Sequence, residues 1–241
     1  MHTNDKNAYD NLIKDFEVDQ VESLDVKRLD KPLTQDEIIE KLAGGDETKG
    51  SCASLCLAYT GNVHGLDVTD FRGGISQSKF GRLINTVDTY KTSNATISAH
   101  YVQKEAFDVA KILKELPSNG KEYVLIAGKH VSVVRNIDGV LQYLEMQTVD
   151  RNGWTPFVKK VKEYGRMYKY TTVDTLNKRF GCQKTQTKHI YKDDNGEWKT
   201  GSKVFLIDVE SVKPTEEFKT ILSYLNTEKQ KQKKGASGYA K

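Results

Sequence analysis

The apolar positions of the chain change period part-way along it. Up to about residue 116 they recur at helical spacing; from Tyr123 onward they fall in short runs rich in β-branched and aromatic residues. Ala8 to Phe16 carries a short helical pattern, followed by charged connecting sequence to about residue 30. Thr34-Gln35-Asp36-Glu37 is a capping box, in which a hydroxyl and a carboxylate three residues apart take each other's backbone N–H groups. Ile38, Ile39 and Leu42 follow at helical spacing, and Gly44-Gly45 should stop that helix. Cys52 to Tyr59 is apolar on nearly every side, the pattern of a buried helix, with Gly61-Asn62 expected to end it. Leu66 to Phe71 reads as a short strand, Ser76 to about Val87 as a helix, and Val102 to Leu116 as a clearer helix broken by Pro117 to Gly120.

Three strands are expected next, Tyr123 to Ala127, Val131 to Arg135 and Val140 to Met146. The last two are joined by Asn136-Ile137-Asp138-Gly139, which is hairpin turn chemistry. A less ordered stretch follows. Val173 to Phe180 reads as a helix capped by Gly181, Lys203 to Val209 as a strand, and Glu216 to Leu225 as a final helix. Helices first and antiparallel strands later make the class α+β.

Composition narrows this picture. The 241 residues suffice for one large domain or two small ones, and 37% hydrophobic residues is polar but not the composition of a disordered chain. No apolar run approaches the ~20 residues that span a bilayer, and the first residues lack the charged-then-apolar pattern of an export signal. The expectation is a soluble protein, cytoplasmic or virion-associated, with no membrane partner. Residues 228–241 hold five Lys against one Glu, which equals the whole net charge of +4. The remainder sums to zero, which argues against a nucleic-acid partner; residues 227–241 read as a disordered basic tail. Three cysteines, Cys52, Cys56 and Cys182, do not make a disulfide framework, and no second pair stands at zinc-site spacing. No metal and no cofactor is expected.

The chemistry-bearing residues are few. Gly50-Ser51-Cys52 opens the apolar helix, so the Cys52 thiol would sit at the positive end of the helix dipole. Unpaired backbone N–H groups there favour a thiolate and can hold an oxyanion, and Gly50 would let a substrate backbone approach. A small buried hydrophobe is the other reading of Cys52. Cys56, one turn deeper, reads as packing, and Cys182 as structural. A cysteine nucleophile wants an imidazole, and the imidazole wants an acceptor to orient it. Of five histidines, His130 follows Gly128-Lys129 and opens an apolar strand, where a side chain emerges at a sheet end; a surface histidine is the alternative. A two-residue Asp138-Gly139 loop would pair Val134 with Tyr143, Ser132 with Glu145 and His130 with Gln147. A four-residue loop would pair His130 with Glu145. A three-residue loop with a bulge would turn Glu145 away. Glu145 in Tyr-Leu-Glu-Met-Gln thus either orients His130 or faces solvent.

Two segments carry a resemblance. Gly44-Gly45-Asp46 through Gly50-Ser51-Cys52-Ala53-Ser54-Leu55, with Ala58-Tyr59-Thr60-Gly61-Asn62 and Asp70-Phe71-Arg72-Gly73-Gly74, resembles the cysteine segment of papain-like toxin domains. Such domains accompany phage head-morphogenesis proteins and polymorphic toxins. Gly128-Lys129-His130 through Leu144-Glu145-Met146-Gln147 is similar to their histidine strand and the acid-x-Gln strand after it. The resemblance implies Cys52 as nucleophile, His130 as general base and Glu145 as orienting carboxylate, with Gln147, Ser51 and Gly50 in support. Glu145 stands where many relatives of papain have Asp or Asn.

The expected architecture is a papain-like α+β domain over residues 31–226, its nucleophile helix packed on an antiparallel sheet, after a helical extension over 1–30. The expected function is a cysteine hydrolase (peptidase, amidase or deamidase) of phage or toxin-effector type, acting on a protein or peptide-like substrate. The alternative is a phage virion protein, structural or packaged as cargo, that uses the scaffold without catalysis and has virion proteins as partners.

Overall fold

The computed structural model describes residues 3–42, 51–69, 80, 83–147, 153–193 and 196–226. It is mixed α+β. Seven helices are described: α1 Thr3–Val18, α2 Gln35–Leu42, α3 Ser51–Val63, α4 Leu83–Thr92, α5 Glu105–Lys114, α6 Thr172–Phe180 and α7 Glu216–Ser223. The strands are β1 Ile97–Val102, β2 Asn119–Ala127, β3 His130–Ile137, β4 Val140–Glu145, β5 Gly153–Pro156, β6 Lys159–Glu163, β7 Arg166–Tyr170, β8 Ile190–Lys192, β9 Trp198–Thr200 and β10 Ser202–Asp208. The chain divides into two compact units. One holds residues 1–96, 145–153 and 208–241; the other holds 97–144 and 154–207.

The first unit is helical. The capping box forms as expected: Thr34 N donates to Glu37 Oε2 at 2.7 Å, and Glu37 N donates to Thr34 Oγ1 at 3.3 Å. The helix it opens turns Ile38 and Leu42 inward. Along α3, Leu55, Cys56, Leu57, Ala58 and Tyr59 are all essentially without exposure, so this helix is covered on every side. It does not end at Gly61-Asn62. Gly61 lies inside the helix because a Cβ there would come within 2.9 Å of Val68 Cγ2 and 3.0 Å of Leu222 Cδ1. The stop comes at Gly65, in the left-handed region (φ 75°). Its N–H donates to Asn62 O, and Leu66 N donates to Gly61 O, which is the Schellman pattern. Leu66 then makes a single bridge to Arg28, and no strand forms over residues 66–69, the described part of the expected one. The helix expected from Ser76 is described only in part: Phe80 is helical, and α4 runs on to Thr92. The expected stop at Gly44-Gly45, the Asp70 to Gly74 segment and the tail lie outside the described residues.

The second unit is built on a six-stranded sheet in the order β1-β10-β2-β3-β4-β5, with β1/β10, β2/β3 and β3/β4 antiparallel. Val102 to Lys104 is not helical: Val102 ends β1, and α5 starts at Glu105. Asp138 (φ 50°) and Gly139 (φ 80°) form a two-residue loop with both positions left-handed, a type I′ turn. The register follows, Ile137 opposite Val140 and Val134 opposite Tyr143. Val109, Leu113, Leu125, Val134, Phe157, Leu176, Phe180 and Leu206 form one buried cluster in this unit. Helix α6 is closed at both ends, by the Thr171–Asp174 capping box and by Gly181 at φ 72°.

Candidate active site

Cys52 is the second residue of α3 and is partly exposed, whereas Cys56 and Cys182 are buried. A helix start leaves backbone N–H groups without intrahelical acceptors, and the first turn of α3 holds no acidic side chain that would oppose a thiolate. Ser51 opens the helix; Gly50 lies outside the described residues. Burial in the second unit pushes the Cys182 thiol far up, with the charge of Glu105 adding to it. That thiol is packing material, as its sequence context suggests.

His130 is the first residue of β3, opposite Ala127 across a Gly128-Lys129 turn. Among the described histidines it alone is buried. Gly128 has φ 60° and is the first central residue of the turn, the type II′ pattern. A side chain there is excluded by contact as well as by backbone: a Cβ would come within 2.4 Å of Phe180 O and 2.8 Å of Cys182 N. Lys129 N donates to Phe180 O at 2.7 Å, and the His130 ring meets the Phe180 ring edge-on at 5.0 Å. The turn that presents the imidazole is therefore bolted to the end of α6.

A residue the sequence reading missed fixes this arrangement. Glu105, the first residue of α5, is 5% exposed. One of its carboxylate oxygens accepts from Gly128 N at 3.0 Å and the other from Gln183 N at 3.2 Å. A buried carboxylate held by two backbone donors ties α5, the His130 turn and the segment after α6 to one point. Glu105 sits at the margin of an amphipathic pattern, so nothing in its sequence neighbourhood marks it as buried.

Burial holds the His130 imidazole well below the usual histidine range, and the Arg179 guanidinium lowers it further. His130 is thus neutral at neutral pH, with its protonated form disfavoured by these surroundings. Glu145 closes β4, is buried, and accepts from Gln147 N through Oε1 at 3.0 Å. It belongs with residues 145–153 to the first unit, together with Cys52 and Gln147. Ser132, two residues along β3 from His130, donates from its hydroxyl to Leu144 O at 2.9 Å. The other histidines have different settings: His64 Nε2 donates to Val209 O at 2.7 Å, His100 lies in β1, and His189 is exposed.

No protein-family model, curated protein or solved structure matches the chain. The site is therefore read from its own chemistry. Among the described residues no group of His, Cys, Asp and Glu is arranged to hold a metal ion. No described helix is long and apolar enough to cross a membrane.

Proposed function

We propose that the chain is a papain-like cysteine hydrolase with Cys52 as nucleophile, His130 as general base and Glu145 as the carboxylate that orients the imidazole. One observation carries the reading: of the three cysteines, only Cys52 is accessible, and it stands in the first turn of a buried helix. That is where a thiolate is stabilised and where backbone N–H groups can receive a developing oxyanion. In the reaction His130 takes the thiol proton, and the sulfur attacks a carbonyl carbon of a peptide-like substrate. The C–N bond breaks as the imidazolium gives its proton to the leaving amine. Water then attacks the thioester as His130 takes its proton, the C–S bond breaks, the imidazolium returns the proton to the Cys52 sulfur, and the acid product leaves. Gln147, Ser51 and Gly50 are assigned supporting places around these groups. The toxin-effector or phage setting rests on the resemblance of the two segments alone.

The reading is tested by alkylating the intact protein with iodoacetamide near neutral pH and locating the label by mass spectrometry. The expected result is fast labelling of Cys52, slowed about tenfold or more in His130→Ala, against sluggish labelling of Cys56 and Cys182. Equal, slow labelling of all three cysteines would leave only a non-catalytic virion role for the scaffold.

A further inference from the structure

The sum of charges outside residues 228–241 is zero, but the two units do not share that neutrality. The second unit carries eighteen Lys and Arg against ten Asp and Glu, a net +8; the first, without residues 228–241, carries fourteen against twenty-two, a net −8. Most of the excess in the second unit lies between residues 154 and 207, with twelve basic side chains against five acidic. The β6–β7 hairpin, residues 159–170, holds five of these basic side chains against one acidic.

This hairpin is a two-stranded sheet of its own, outside the six-stranded one. Its register places Lys160 opposite Lys169 and Lys162 opposite Met167. Directly opposed residues of an antiparallel pair share a face, so Lys160, Lys162, Met167 and Lys169 make up one face of the ribbon, and all four are exposed. That face has three ammonium groups and no carboxylate. Among the described residues none of the three lysines has an ion-pair partner, and like charges set directly opposite one another destabilise a sheet. The acidic residue of the hairpin, Glu163, is on the other face and accepts from the Tyr170 hydroxyl. At the tip, Tyr164 (φ 49°) and Gly165 (φ 79°) form a two-residue loop, and Tyr164 is 99% exposed. Met167 and Tyr168 are also large exposed apolar side chains.

We propose that the β6–β7 hairpin is a binding arm for single-stranded nucleic acid, its lysine face taking backbone phosphates and Tyr164 offering a ring for an unpaired base. Lysines act here as point charges on flexible stems, which suits phosphates without reading sequence. Interleaved aromatic and thioether surfaces are what a bare polyanion leaves unused and what unpaired bases stack on. A paired duplex offers no free base face to Tyr164. An anionic lipid surface would gain only about 1 kcal/mol from each of the three lysines, with a single Met on that face to insert beside them. The inference is independent of the hydrolase reading.

The test is fluorescence anisotropy of the full-length protein with a labelled oligothymidylate of about twenty nucleotides, longer than the ~4–16 that one small binding fold covers. Binding should weaken with salt, with a log–log slope of roughly −2 for three phosphates contacted. Lys160→Glu with Lys162→Glu should weaken binding about tenfold or more at low salt and flatten that slope. The same variant should unfold at an unchanged or higher temperature, because a carboxylate opposite Lys169 replaces a like-charge pair. Tyr164→Ala should weaken binding at least about fivefold with the salt slope unchanged. Converting Lys229, Lys231, Lys233 and Lys234 to Gln should leave the hairpin's contribution in place. Oligonucleotide binding that survives the double variant but is lost on neutralising those four lysines would overturn the proposal. So would absence of oligonucleotide binding, including the case in which phosphatidylserine vesicles or polyglutamate bind instead.

Discussion

At the scale of single residues, the second unit contains two side chains whose properties are set by burial rather than by type. His130 is held neutral by its surroundings, and that has a cost on acidification. Its folded-state proton affinity is depressed, so below the unfolded value near 6.5 the unfolded chain binds a proton that the folded chain refuses. Stability is then lost as pH falls through and below that value, by at most ~1.4 kcal/mol per pH unit. Urea unfolding at pH 7 and pH 5 should show this loss in the wild type and a smaller one in His130→Phe; equal losses would mean that His130 is not the group responsible. On the hydrolase reading proposed above, Glu105 would act at one remove, as a positioning residue for His130. Glu105→Gln keeps the size but turns a charge-assisted acceptor pair into an amide with one acceptor oxygen, leaving the N–H of Gly128 or of Gln183 without its partner. The variant should lose about 1–3 kcal/mol of stability, and Cys52 alkylation should slow with it. If alkylation were unchanged while stability fell, Glu105 would be structural only. Gly128→Ala is the harsher change, since the added methyl meets a backbone oxygen at 2.4 Å that cannot swing aside.

At the scale of elements, Gly61 shows how one residue type carries two meanings. Next to Asn62 and Val63 it reads as a helix stop, yet α3 passes through it. What removes the side chain is the close packing of Val68 and Leu222, both fully buried. Gly61→Ala sets two magnitudes against each other: about 1 kcal/mol gained in helix propensity and about 1–3 kcal/mol lost to overpacking. The contacts at 2.9 and 3.0 Å are with side chains that are themselves fully buried, so a net loss of about 1 kcal/mol is expected in chemical denaturation. A stabilised variant would mean that Leu222 can move. The same contrast explains what could be read in advance. The Thr34–Glu37 capping box, the Asp138-Gly139 turn and the α6 cap at Gly181 are local chemistry, and their elements stand where the sequence pattern puts them. β1, β5 and the β6–β7 and β8–β9 hairpins were not legible. Lys-Lys-Val-Lys-Glu has one apolar residue, and Ile-Tyr-Lys and Trp-Lys-Thr are three residues each, too short to show an alternation. Of the site, Cys52 and His130 could be singled out because helix start and strand start are local features. Glu105 could not, because its burial comes from residues 23 and 78 positions away.

At the scale of the molecule, the chain passes between its two compact units four times, at 96–97, 144–145, 153–154 and 207–208. No hydrophobic periodicity reports such returns, because each element looks the same whichever unit it joins. Summed charge hides them as well, since +8 and −8 cancel. The helical unit in particular is completed by the last part of the chain. Asp208 N donates to Thr96 O, Lys213 N to Ser93 O, and the Thr215 hydroxyl to Thr92 O. Leu24 N donates to Ser223 O, and Tyr224 stacks on Phe16 with ring centroids 4.3 Å apart. Phe218, Ile221, Leu222 and Leu225 bring four fully buried side chains to the same unit. Each such side chain is worth about 1.5–3 kcal/mol of burial, so the four together rival the ~5–15 kcal/mol by which a whole domain is stable, and losing all of them is enough to unfold the unit. Residues 1–96 expressed alone should therefore lack a fixed tertiary structure, whereas the chain ending at residue 226 should keep it. Near-ultraviolet circular dichroism compares the two directly. A native-like aromatic signal with a cooperative melt from residues 1–96 would show that α7 covers a core already complete, and that the chain's final return is not needed to fold the helical unit.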